Sequence, residues 1–78
     1  MLYDEDMERK ENKNLTEREI QVLNYVKAGL NNREVAEKMY LSVHTIKAHL
    51  ESIYAKLEVH NKIQALVCAI KNNLINLD

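Results

Sequence analysis

Four residues of the kind that cap helices, Thr16, Asn31, Ser42 and Asn61, each stand just ahead of a run of helically spaced apolar residues, and their positions divide the chain into four short helices. Thr16 is followed three residues later by Glu19, and Asn31 by Glu34, the reciprocal pattern in which each side chain satisfies the other residue's free backbone amide. Leu15 precedes the first cap as a possible staple residue. Ser42 offers a hydroxyl to the free amides of the next turn, and Asn61 is followed by Gln64 after a short joint at Val59 and His60. With no Pro and a single Gly, the chain lacks the residues that strand-and-turn architectures need at their bends. The expected fold is all-α, with four helices.

The apolar spacing assigns a face to each helix. Ile20, Val22, Leu23 and Val26 give the first a broad inward side, and it should end near Ala28, since Gly29 accepts a left-handed stop without penalty. The second, barely two turns long, carries Val35, Ala36 and Met39. In the third, about 43–57, Ile46, Leu50, Ile53 and Leu57 repeat as a core stripe, while His44, Lys47, Ala48 and Glu51 occupy a separate arc. In the fourth, Ile63, Leu66, Val67, Ile70 and Leu74 form one stripe. A strip of Ala65, Cys68 and Ala69, prolonged by Asn72, lies partly off it. The apolar surface of this last helix is wider than a seat on three helices requires, so part of it should meet a partner. The small-residue strip has two readings, packing on the first helix or a dimer seam.

Residues 1–12 carry five acids against two bases, and the remainder nine bases against seven acids, so the overall charge of −1 hides a mild +2 beyond the start. Residues 1–14 can bury little and read as a flexible charged lead-in or linker, or else as an extension of the first helix; 15–78 form the folded domain. No run of 18 apolar residues offers a membrane span, and the N-terminus lacks the order of a signal peptide. One cysteine cannot make an internal disulfide, and a cytoplasmic protein is expected. His44 and His49 lie about 140° apart on a helix, so no metal site is expected. No catalytic constellation is present, which argues against an enzyme, and no cofactor is implied. The Glu and Lys residues of the first two helices read as solvated faces.

About three residues, Tyr40, Leu41 and Ser42, join the second helix to the third, the length of a helix-turn-helix joint. In that geometry the arc of the third helix meets base edges in a major groove of double-stranded DNA. Lys47 can bond guanine or a phosphate, Thr45 and Ser42 can bond phosphate oxygens, and Ala48 can touch a thymine methyl. His44 would sit at the groove edge, and Arg33 at the start of the second helix could reach a phosphate.

Leu15-Thr16-Glu17-Arg18-Glu19 with Val22-Leu23, then 29–36 (Gly-Leu-Asn-Asn-Arg-Glu-Val-Ala), 41–49 (Leu-Ser-Val-His-Thr-Ile-Lys-Ala-His) and 53–57 (Ile-Tyr-Ala-Lys-Leu), resemble the LuxR/FixJ/NarL/GerE-type helix-turn-helix domain. The resemblance covers roughly residues 15–75. It implies a four-helix DNA-binding domain of transcriptional regulators, with the third helix reading DNA and the fourth commonly dimerising. It puts DNA-facing positions at Thr45, Lys47, Ala48 and Glu51, with Lys56 and Ser42 nearer phosphates. Glu51 departs from the basic or neutral residue of some relatives, Glu58 stands where a helix-ending Gly is common, and Lys62 where Arg is common. The family usually joins this domain to a receiver or ligand-binding domain. Met1 and the short tail fit a stand-alone GerE-like regulator, and a response-regulator effector domain fits almost equally well.

The expectation is a sequence-specific regulator binding paired half-sites as a homodimer, with RNA polymerase as a further partner and no membrane involvement. Two alternatives stand beside it. One is a sigma-factor-like DNA-binding region; the other is a protein-interaction module docking through its apolar fourth helix.

Overall fold

The computed structural model describes residues 15–77; the expected charged lead-in, 1–14, lies outside the described residues. Four helices run in order: α1 Glu17–Lys27, α2 Asn32–Met39, α3 Val43–Leu57 and α4 Lys62–Lys71, with no strand among the described residues. Each starts where a capping residue predicts it. Thr16 Oγ1 accepts from Glu19 N–H at 3.1 Å while Glu19 Oε1 accepts from Thr16 N–H at 2.9 Å, and Asn31 with Glu34 repeats the exchange at 2.9 and 2.8 Å. Ser42 Oγ and Asn61 Oδ1 take single amides, from Thr45 at 3.0 Å and Gln64 at 2.9 Å. Each capping bond of this type contributes roughly 1 kcal/mol.

All four helices stop in the same way, although only Gly29 and Asn73 are residues suited to it. A left-handed residue comes after the last turn, and the next amide reaches back to a carbonyl five residues earlier: Leu30 to Tyr25, Leu41 to Ala36, Val59 to Tyr54, Leu74 to Ala69, at 2.8–3.1 Å. The left-handed positions are Gly29 (φ 96°), Tyr40 (58°), Glu58 (59°) and Asn73 (60°). Tyr and Glu are strained there by about 1–2 kcal/mol, because Cβ crowds the following carbonyl. Glu58 is exposed, so Glu58→Gly loses no packing and is expected to raise stability by about 1 kcal/mol in denaturant unfolding. An unchanged midpoint would mean that the turn is not strained.

The stripes of α1, α2 and α3 close on one core. Val22, Leu23, Val26, Val35, Ala36, Ile46, Leu50, Ile53 and Leu57 are buried as their spacing requires. Ile75, past the end of α4, joins them, and Lys27 Nζ donates to Asn76 O at 2.7 Å, tying the chain end to α1.

The fourth helix departs from expectation. Its large-residue stripe does not pack as a unit: Ile63 is 74% exposed and Val67 51%, while Ala65 and Ala69 are fully enclosed. Two residues along a helix turn it by about 200°, so the Ala pair and the Ile63–Val67 pair lie on opposite sides. Small side chains let α4 approach closely where it packs on α1 and α3. Ala65 and Ala69 therefore belong to the monomer's core and not to a dimer seam: neither has surface left to offer.

Candidate nucleic-acid interface

On α3 the core stripe and the proposed contact arc separate completely. Ile46, Leu50, Ile53 and Leu57 are at most 4% exposed, which fixes the helix's rotation about its axis and leaves His44, Lys47, Ala48 and Glu51 exposed on the other side. Burying four large aliphatic side chains stabilises this orientation by several kcal/mol, at roughly 1.5–3 kcal/mol each. The ridge is thus held by the core beneath it.

The turn before α3 shapes the ridge's leading end. Tyr40 takes the left-handed conformation and is itself 94% exposed, and the chain then enters α3 through Leu41 and Ser42. Ser42 Oγ, besides accepting from Thr45 N–H, shares a hydrogen bond with Thr45 Oγ1 at 2.9 Å. Two hydroxyls have two protons and one is used between them, so the pair keeps one donor for an acceptor outside. Ser42 is exposed and Thr45 half-buried.

Arg33 is exposed at the second position of α2. Its neighbour Asn32 borders Lys47 and Glu51 across a cleft that Leu50, Tyr54 and Lys62 complete. The start of α2 and the ridge of α3 therefore adjoin. Burial pushes the Tyr54 phenol above its ordinary value.

Lys56, expected near a phosphate, is engaged inside the domain: its ammonium donates to Glu19 Oε1 at 2.9 Å and Oε2 at 3.2 Å, an ion pair that leaves the Lys56 side chain 33% exposed. Glu19, expected on a solvated face, is only 4% exposed and also accepts from Ser52 Oγ at 2.7 Å. Burial alone would raise its carboxyl. The bonds from Thr16 N–H, Lys56 and Ser52 outweigh that and hold it below its ordinary value. The capping pattern identified Glu19 as a local partner of Thr16; nothing in the spacing revealed that its second oxygen faces α3.

A second surface lies on α4. Ile63, Val67, Val59, Gln64, Lys71 and the half-buried Cys68 line an open groove of about 540 Å³, together with Asn72, whose Nδ2 donates to Cys68 O at 2.8 Å. Of the four residues assigned to a seam from sequence, Cys68 and Asn72 border this groove and Ala65 and Ala69 do not. Among the described residues no helix is long and apolar enough to cross a membrane, and no cluster of His, Cys, Asp or Glu could hold a metal ion.

Comparison with known proteins agrees with this arrangement. The family model described as bacterial regulatory proteins, luxR family, matches residues 13–69. The transcriptional regulatory protein LiaR of Bacillus subtilis is 37% identical over 62 residues, and the response regulator protein VraR of Staphylococcus aureus 39% identical over 61. These matches take in 80% and 78% of the chain but only 29% of either relative, so the chain spans less than a third of their length. Among solved structures, the response regulator ChrA of a heme-sensing two-component system superposes with a TM-score of 0.77 at 43% identity, over 78% of this chain and 30% of that one. The transcription factor GerE superposes at 0.79 over 82% of this chain and 96% of its own, with 22% identity, a likeness of fold. A family match over most of the chain, carried on four helices in the GerE arrangement, makes the conclusion plain: the chain belongs to the luxR family of bacterial regulatory proteins, as a DNA-binding domain of transcription regulators.

Proposed function

We propose that the domain reads a specific DNA sequence by laying α3 in the major groove, and that two copies, joined through the outward face of α4, occupy paired half-sites. The observation that carries the first part is the division of α3 into a clamped underside and an exposed ridge led by Ser42. An α-helix with its side chains, about 10–12 Å across, fills a major groove about 12 Å wide. Lys47 then serves guanine, Ala48 a thymine methyl, and Glu51 the amino group of a cytosine, while His44, Thr45, Ser42 and Arg33 serve the groove edge and the phosphates. Like LiaR and VraR, which are named as a transcriptional regulatory protein and a response regulator, the protein would act on transcription.

The second part rests on Ile63 and Val67, two large apolar side chains left open on a helix whose small residues already fill the core. A charge of +2 beyond residue 12 gives one copy modest affinity, and a second copy held alongside multiplies it. Titrating the chain against duplexes with one and with two half-sites tests both parts together. Cooperative binding to the paired site is expected; equal affinity for both duplexes contradicts the dimer. Val67→Asp sets two carboxylates against each other across the seam. It should leave the unfolding midpoint unchanged, since Val67 lies outside the core, and weaken paired-site binding about tenfold.

A further inference from the structure

We propose that α4 also touches DNA: Lys62, at its first turn, seats one backbone phosphate in the cleft between the start of α2, the flank of α3 and the start of α4. The inference rests on the DNA reading above and adds to it a contact from outside the helix-turn-helix pair. The cleft, of about 180 Å³, is lined by Asn32, Lys47, Leu50, Glu51, Tyr54 and Lys62. With Lys47 and Glu51 given to the bases, Lys62 is the cation left to this cleft. The Glu19–Lys56 pair is elsewhere, and Lys47, Lys62 and Glu51 have no ion-pair partner among the described residues.

One further atom is unfinished. Asn32 Oδ1 is buried and accepts no hydrogen bond. Leaving such an acceptor unmatched is unfavourable, and a proton from the Lys62 ammonium would complete it, holding the charge in the cleft. The occupant is set by geometry. With α3 filling the groove, side chains from elements flanking it meet the sugar-phosphate walls and not the base edges on the floor. Lys62 comes from such a flanking element, so its partner is a phosphate and its contribution is independent of sequence.

The test is the salt dependence of binding to a duplex carrying the chain's preferred site, for the parent, Lys62→Gln and Lys62→Arg. Losing one phosphate contact lowers the slope of log K against log salt by about 0.9 for each bound copy. Between 50 and 200 mM salt the parent should therefore lose about 3.5-fold more affinity per copy than Lys62→Gln. Lys62→Arg restores the slope, base preference is the same in all three, and the unfolding midpoint does not move. A Lys62→Gln slope equal to the parent's overturns the anchor while leaving the α3 reading intact. A changed preference at one base pair assigns Lys62 to base reading and overturns it as well. Failure of the parent to bind any duplex removes the DNA reading itself, and the anchor with it.

Discussion

Glu19→Ala is expected to destabilise the domain by about 3 kcal/mol, a large fraction of what a chain of this size possesses. The carboxylate accepts from the Thr16 backbone amide, from Ser52 and twice from Lys56, linking the first turn of α1 to the second half of α3. Removing it leaves Thr16 N–H uncapped and takes away the two bonds that the Lys56 ammonium makes to Glu19. Because the Lys56 side chain is 33% exposed and can turn to water, the loss falls at the lower end for a buried ion pair. In a domain this small, 3 kcal/mol corresponds to a fall of about 15 °C in Tm.

The same pair makes stability depend on acid. The Glu19 carboxyl in the folded chain is held below its ordinary 4.5, so folding favours the ionised form. That stabilisation is complete above the unfolded value and is lost as pH falls through the lower folded value. Glu19→Gln keeps the shape and an acceptor but has no charge to lose. The stability difference between parent and Glu19→Gln, measured by urea unfolding, should be largest at pH 7 and shrink towards pH 3. A difference constant across that range would contradict the ionic account.

Lys47→Ala is expected to cut affinity for the preferred site by about 1–3 kcal/mol per copy, and so by about 2–6 kcal/mol when two copies bind. Lys47 is exposed and its neighbours Ile46 and Leu50 hold α3 in place without it, so the fold should be untouched. Loss of a base contact relaxes selectivity at one position of each half-site, which loss of a phosphate contact does not. Binding by Lys47→Ala to its best site as tight as the parent's, with the same salt slope, would mean that α3 does not face the DNA.

Glu19 and Lys47 also mark how far the amino-acid pattern reaches. Helix starts were legible because Thr16, Asn31, Ser42 and Asn61 act on amides within their own next turn, a local rule that spacing displays. Helix ends were half legible. Gly29 announces its left-handed stop and Asn73 tolerates one, whereas Tyr40 and Glu58 take the same conformation where Leu41 and Val59, just after them, pack on the core. On α3 the ridge could be read because polar and aliphatic residues alternate with the helical period. On α4 both sides are apolar, so periodicity left both readings of the small-residue strip open, packing on α1 or a seam, and the complete burial of Ala65 and Ala69 decides for packing at those two positions. The Glu19–Lys56 pair and the Lys62 cleft join residues far apart in the chain, and only the tertiary arrangement brings them together.

Methylation interference on the selected duplex tests the central claim most directly, since a methyl on guanine N7 stands in the major groove and one on adenine N3 in the minor groove. The account predicts that N7 methylation of a guanine within each half-site abolishes binding, that adenine N3 methylation there does not, and that Lys47→Ala becomes indifferent to the same guanine. Binding by the parent that is insensitive to N7 methylation at every position would contradict the placement of α3 in that groove.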